Sequence, residues 1–416
     1  MRLQRILALL ICVCWCTCNI KGLSLPVIYT KGTHYEVGHD IGSTFKSRIG
    51  DFYGKYTVLH DVLLPYYHTA KGRDVYDGFL NVTNSTFPQL IDELQGIADG
   101  AGQPFYHVFL LEIRTEIQLL KRKLPEPSCT DIALNFVDQK TSVQWTIQAH
   151  NEDADPLIKD YGYIIDAHII DPTGHYPEEK FTAFSYPGIL PGNAFGFNSA
   201  GMIFSINAVF PVNVVEAAIP RYITNRMLLG AKSVDEVFQI INKYSSSSGF
   251  NINFGNSMMI PGNQMLYNVE VGPGSQDYSN FTIPLANNKD DGHFYHFNMY
   301  QHTNVSQYND TSTQHRSARA GNLPIPGNLK EIFNILGDTA DSEYPIYRDG
   351  KGKDHAATVV TGVFDLINFN ISIYVDNPKT SQGPVIVFPL PKKAATEESV
   401  YTDNKLYFET NNIPFH

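Results

Sequence analysis

The sequence predicts an α+β protein with a layered sheet, and three observations predict it. Helical periodicity dominates the residues before 121. Strand texture begins abruptly at 129. Beyond that point strands do not alternate regularly with helices. Regular alternation would signal a doubly wound parallel sheet, whereas runs of strands with inserted helices signal segregated layers.

The composition permits a large core: 416 residues, 43% hydrophobic and 18% charged. The 24 Tyr and 25 Phe exclude a disordered chain. A net charge of −11, with no Lys/Arg-rich run, excludes general nucleic-acid binding.

The chain opens with Arg2 and Arg5, then an apolar run from Ile6 to Cys18 that is too short to span a bilayer. This pattern is that of a secretory signal peptide, residues 1–23, with cleavage between Cys16 and Ser24. The expected location is outside the cell or in an endomembrane or lysosomal lumen, without stable membrane insertion. Sequons at Asn81, Asn84, Asn280, Asn304, Asn309 and Asn370 accord with export.

Residues 24–128 form a helical N-terminal part. An amphipathic helix is expected over 34–56. A second spans 88–100, with Thr86 as N-cap and Gly100 or Gly102 as stop, and a third runs over 104–121. The stretch KRKLPEPS, 121–128, carries charge and two prolines and reads as an exposed extended linker. Strands are then expected over 131–137, 143–149, 163–170, 181–185, 194–197 and 201–207. One or two helices follow over 219–243. Strands return at 257–260, 264–270, 294–298, 356–365, 370–375 and 384–388, and 303–325 reads as a loop followed by a short helix.

Of five cysteines, Cys12, Cys14, Cys16 and Cys18 fall in the signal peptide, leaving Cys129 alone in the mature chain. That count excludes a disulfide framework. His293, His296 and His302 lie close together but in a region that reads as strand then loop, and Asp290 and Asp291 do not complete a recognised ligand set; Asp153 and Asp155 lack the rest of a calcium loop, and no metal or other cofactor is expected. G-x-S-x-G, Walker and H-E-x-x-H motifs are absent from the sequence. Cys129 itself has two readings, a buried hydrophobic thiol or a nucleophile. Its place directly after the linker and before a strand suggests the second: cleavage of Ser128–Cys129 would free an α-amine, with pKa near 8, able to act as base for its own thiol.

Four stretches then carry a resemblance: Cys129-Thr130, His150-Asn151-Glu152-Asp153, GFNSAGMIFSINA from Gly196 to Ala208, and His296-Phe297-Asn298. On these the chain resembles the acyl-CoA:6-aminopenicillanic acid acyltransferase family of cysteine N-terminal nucleophile hydrolases, in the animal branch that includes insect β-alanyl-dopamine hydrolase. The resemblance implies a four-layer αββα sandwich and self-cleavage before Cys129. The large chain would be 129–416, and the two chains would stay associated. It implies Cys129 as nucleophile, Asp153 as partner of the new amine, and Asn298 as an amide donor to the oxyanion. Asn207, His150 and His355 are candidate walls of the site. The chain departs from the family pattern in three places: Ser128 replaces a glycine, while His150 and His355 stand where relatives carry arginine. The implied activity is hydrolysis of a small N-acyl amide, such as a β-alanyl conjugate of an amine or amino acid, through an acyl-thioester. An acyltransferase, a lipid amidase or an inactive binding homologue remain the alternatives.

Overall fold

Two β-sheets lie face to face between helical layers in the computed structural model, which describes residues 25–122, 128–216, 218–259, 265–274, 278–353 and 355–393. The expected signal peptide and residues 123–127 of the linker lie outside the described residues.

The N-terminal part begins with a strand that the sequence reading did not anticipate, β1 (Val27–Gly32). Helices follow: α1 (His34–Thr44), α2 (Lys46–Lys55), α3 (Leu64–Tyr67), α4 (Ala70–Thr86), α5 (Pro88–Ala101), α6 (Phe105–Glu112) and α7 (Arg114–Leu120). The helix expected over 34–56 is broken at Phe45, and the one over 104–121 at Ile113. Thr86 ends α4 rather than capping α5, whose first residue is Pro88. Proline suits that position because the first helical N–H has no partner in any case. Gly102, at φ 66°, stops α5 as expected.

The rest of the chain supplies β2 (Ser128–Val137), β3 (Gln144–Ala154), α8 (Leu157–Tyr161), β4 (Tyr163–Ile169), β5 (Glu179–Ser185), β6 (Phe195–Asn198) and β7 (Met202–Ala208). Then come α9 (Arg221–Leu229), α10 (Val234–Lys243), β8 (Phe250–Asn256), β9 (Met265–Val271), β10 (Phe281–Pro284) and β11 (His293–His296). The series ends with α11 (Thr311–Gly321), α12 (Leu329–Leu336), β12 (Ala357–Asp365), β13 (Asn370–Tyr374) and β14 (Ile386–Pro389). The strand expected at 257–260 is instead β8, seven residues upstream, followed by one 3₁₀ turn.

The first sheet has eight strands in the order β1-β4-β5-β6-β7-β8-β9-β10, and the second has six, β11-β2-β3-β12-β13-β14. All pairings within them are antiparallel except β1 with β4. Strand alternation sorts the side chains of the second sheet. Ile132, Leu134 and Phe136 of β2, with Ile147 and Ala149 of β3, pack under α11 and α12 in one apolar cluster. The intervening residues face the first sheet, as when Gln148 donates to Ser205 Oγ at 2.7 Å.

On the outer face of the first sheet, α1 and α5 touch backbone to backbone. A Cβ on Gly38 would lie 2.1 Å from the Glu93 carbonyl oxygen, and one on Gly96 would lie 2.2 Å from that of Tyr35. Gly38→Ala gains helix propensity yet forces the helices apart. It is expected to cost a net ~1–3 kcal/mol, read as a lower urea midpoint at unchanged slope.

A buried ionic cluster fastens the same layer. Arg226 of α9 donates to Glu93 of α5 from Nε (3.1 Å) and Nη2 (3.0 Å), and to Glu179 of β5 from Nη1 (2.7 Å). His34 Nδ1 of α1 lies 2.8 Å from Glu93 Oε2, the oxygen that also accepts from Arg226 Nη2. Burial opposes the Glu93 charge, but Arg226 and His34 outweigh it and bring its pKa down to about 2.

Candidate active site

Cys129 is the second residue of β2 and is buried, at 2% exposure. Its backbone N–H donates to Asn298 Oδ1 at 2.8 Å, and its carbonyl accepts from Arg316 Nη1 at 2.6 Å. The thiol points between the sheets, where Glu152 Oε2 lies 3.7 Å from Sγ. The register of β2 against β3 explains the encounter, since Cys129 is paired with Glu152 and Asp131 with His150. Paired residues share a face, so Cys129, Asp131, His150 and Glu152 form one group.

Within that group His150 is clamped by two carboxylates. Nδ1–H donates to Asp131 Oδ2 at 2.7 Å and Nε2–H to Glu152 Oε2 at 2.9 Å. Burial disfavours the imidazolium, but Asp131, then the hydrogen bonds to Asp131, Cys129 and Glu152, raise its pKa well above the ordinary histidine value. Asp131 also accepts from Ser205 Oγ and from Asn207 Nδ2, the latter at 2.7 Å. Asn207 in turn accepts from Asn253 at 3.0 Å, and Asn253 accepts from Asn268 at 2.6 Å. A row of neutral amides thus supports the Asp131 charge from the first sheet. The outer oxygen of Glu152 accepts from the Tyr186 hydroxyl. Burial first, then the Glu152 charge, pushes the Cys129 thiol up to about 11, with His150 pulling it down.

A second group occupies the opposite face of the same strands. Asp153 accepts from Thr358 Oγ1 at 2.6 Å and lies 3.5 Å from Arg348 Nε. Burial pushes its carboxyl up to about 6 against the pull of Arg348 and Arg316. Arg316 of α11 donates to Thr130 Oγ1 (3.0 Å), Thr313 Oγ1 (3.2 Å) and Asn298 Oδ1 (2.7 Å) besides the Cys129 carbonyl. Burial, then Arg348, brings its pKa down to about 10.

Cys129, Asn298, Asn207 and His150 therefore belong to one buried network, while Asp153 sits on the other face of the same strands beside Arg348. Their geometry assigns different work to two of them from that implied by the resemblance. Asn298 meets Cys129 through its carbonyl oxygen, while its Nδ2 donates to the Ala208 carbonyl at 2.8 Å. Asn207 backs Asp131 rather than touching Cys129. Ser128, on the other side of the expected cleavage point, pairs with Asp153 in the strand register.

His355 is not in the site. It is exposed in the loop before β12, at φ 56°, its N–H on the Gly352 carbonyl. The buried cations near Asp153 are instead Arg316 and Arg348. Sequence reasoning missed these two, together with Asp131, Glu152, Ser205 and Tyr186. Period-two alternation from Cys129 reaches Asp131, and from His150 reaches Glu152; no local pattern marks the arginines or Tyr186. The G-x-N-S-A-G stretch proves to be a hairpin device. Asn198 Oδ1 accepts from the Ala200 and Met202 N–H groups at 3.0 and 3.3 Å, and Gly201 takes φ 83° to turn the chain.

Cys129 Sγ, His150 Nε2 and a Glu152 oxygen lie within 4.8 Å of one another, a spacing that also suits a metal ion. His150 offers Nε2 as a ligand only when neutral, and its two carboxylate partners favour the proton.

A cysteine near the start of a strand, between two sheets flanked by helices, defines the class: this is an N-terminal nucleophile hydrolase fold. Residues 139–380 match the family acyl-coenzyme A:6-aminopenicillanic acid acyl-transferase. The β-alanyl-dopamine/carcinine hydrolase of Drosophila melanogaster is 34% identical over 380 residues, covering 86% of this chain and 95% of that protein. The chain belongs to the acyl-coenzyme A:6-aminopenicillanic acid acyl-transferase family. Among solved structures it is similar to a mutant conjugated bile acid hydrolase from Clostridium perfringens (13% identity, TM-score 0.34), covering 64% of this chain and 99% of that one. It is also similar to penicillin V acylase from Agrobacterium tumefaciens (9% identity, TM-score 0.29), covering 65% and 88%.

Proposed function

We propose that this protein is an exported cysteine amidohydrolase that cleaves itself at Ser128–Cys129 and then hydrolyses small N-acyl amides, β-alanyl conjugates of amines among them. The observation that carries the reading is the setting of Cys129: its N–H held by Asn298 and its carbonyl by Arg316, with the thiol beside an Asp131–His150 pair. The substrate class follows the printed name of the Drosophila relative.

In self-cleavage, water adds across the Ser128–Cys129 peptide bond, leaving a carboxylate on Ser128 and an α-amine on Cys129. The freed amine, held where its N–H now meets Asn298, takes the thiol proton. Sulfur attacks the substrate carbonyl, the proton passes to the departing amine, and a thioester remains. Water then cleaves the thioester, releasing the acid and restoring the thiol. Arg316 and Arg348 offset the charge of Asp153, the strand partner of Ser128 on the leaving side of the cut. Exposed sequon asparagines at 81, 84, 280, 304 and 309 support passage through a secretory compartment. No helix among the described residues is long and apolar enough to cross a membrane.

The test is the mass and N-terminal sequence of the purified, deglycosylated protein, followed by assay of amine release from β-alanyl amides. Two chains, the second starting Cys-Thr-Asp, with amine release are expected. One uncut, inactive chain would sink the proposal.

A further inference from the structure

We propose that Glu152 selects acyl groups that end in an ammonium a short distance from the carbonyl, and that pairing with this cation readies Cys129 for attack. This rests on the amidohydrolase reading and names the substrate charge that the same site accepts.

The argument starts from charge. On the face carrying the thiol, Asp131 and Glu152 are two carboxylates sharing one imidazolium, His150. Asp131 is further supported by Ser205 and Asn207. Among the described residues the other oxygen of Glu152 meets the neutral Tyr186 hydroxyl. The face therefore holds an excess negative charge, concentrated on the residue nearest sulfur. Arg114 does not cancel it: its guanidinium lies over the Tyr186 and Tyr222 rings, 5.1 and 4.6 Å from their centroids, and donates to the Leu111 carbonyl. A buried excess charge calls for a partner, and a cationic substrate is one.

Reach is consistent with this. Glu152 Oε2 is 3.7 Å from Cys129 Sγ. A β-aminopropionyl group bound to sulfur has two methylenes between carbonyl and ammonium, enough to fold back onto that carboxylate. Access is through Tyr186, which lines a narrow cleft with Tyr56, Arg114 and Asp155. A swing of this phenol uncovers Glu152, and the ammonium replaces its hydroxyl. The trigger follows from Coulomb's law in a dry site. Glu152, which shares the single His150 imidazolium with Asp131, opposes a second negative charge on sulfur, adding to the burial that already raises the thiol. A paired Glu152 no longer does. Neutral acyl groups leave the opposition in place.

The experiment compares β-alanyl and butyryl amides of phenethylamine, which differ in the terminal ammonium and methyl, with wild type, Glu152→Gln and Glu152→Asp. Wild type is expected to prefer the β-alanyl amide by about 100-fold or more in kcat/KM. Glu152→Gln should reduce that ratio to below about 10-fold, and Glu152→Asp should largely restore it. The pH midpoint of Cys129 alkylation by iodoacetamide should fall in Glu152→Gln, a change that a merely structural role would not produce. Equal turnover of both amides by wild type overturns the inference and leaves the amidohydrolase reading standing. So does a Glu152→Gln variant that slows both amides in parallel with an unmoved alkylation midpoint. No turnover of either amide by wild-type protein with an alkylatable Cys129 overturns both.

Discussion

Replacing Cys129 by Ala is expected to lower amide hydrolysis by on the order of 10⁴-fold or more and to leave a single uncut chain. The chemistry has no substitute for sulfur. Asp131, His150 and Glu152 neighbour the thiol but are locked together by short hydrogen bonds. The fold should survive. Only a thiol is removed, so the loss in stability is about 1 kcal/mol. Amine release followed by chromatography, with intact mass on the same sample, reads both consequences. Activity within tenfold of wild type would move the nucleophile elsewhere.

The largest effect on stability is expected from Arg226→Met. Methionine refills most of the volume, but Glu93 and Glu179 lose a guanidinium that bridges α5, α9 and β5. Removing one partner from a buried pair leaves an uncompensated charge, at about 3–5 kcal/mol. The sign of the pH dependence distinguishes this cause from simple loss of packing. In the wild type, Glu93 titrates at about 2, well below its unfolded value. Its contribution is complete above that unfolded value and is lost as pH falls through the folded one. Without Arg226 only His34 is left to oppose burial, so Glu93 holds a proton more readily in the folded state. The deficit of the variant should then shrink on acidification from pH 7 to 4. Urea titrations across that range measure it. A deficit that does not change with pH would assign the effect to packing.

How far these sites could be read in the sequence depends on the range of the forces involved. Most strands after Cys129 have local signatures, and their bounds fall within a few residues of expectation. β1 was missed because VIYTKG is short, and its pairing with β4 lies far along the chain. The nucleophile was legible from its isolation and its position. Asp131 and Glu152 stood two residues from residues already singled out, and strand alternation alone reaches them. Arg316 and Arg348 were not legible, because what makes them part of the site is a distant contact: Arg316 reaches the Cys129 carbonyl from α11. His355 misled for the complementary reason. Its place in the chain matched a family position, while the loop turned it outward.

The parallel pairing of β1 with β4 has a mechanical consequence. β1 belongs to the segment before Cys129 and β4 to the segment after it, and α1 and α5 cover the sheet they share. The covalent join between the two segments therefore carries little of their cohesion. A cut there would leave two polypeptides interleaved in one lamina, and separating them would mean tearing a strand from its edge and stripping the core beneath. Dissociation and denaturation become the same event, so the nicked particle should resist dilution as well as an uncut one does.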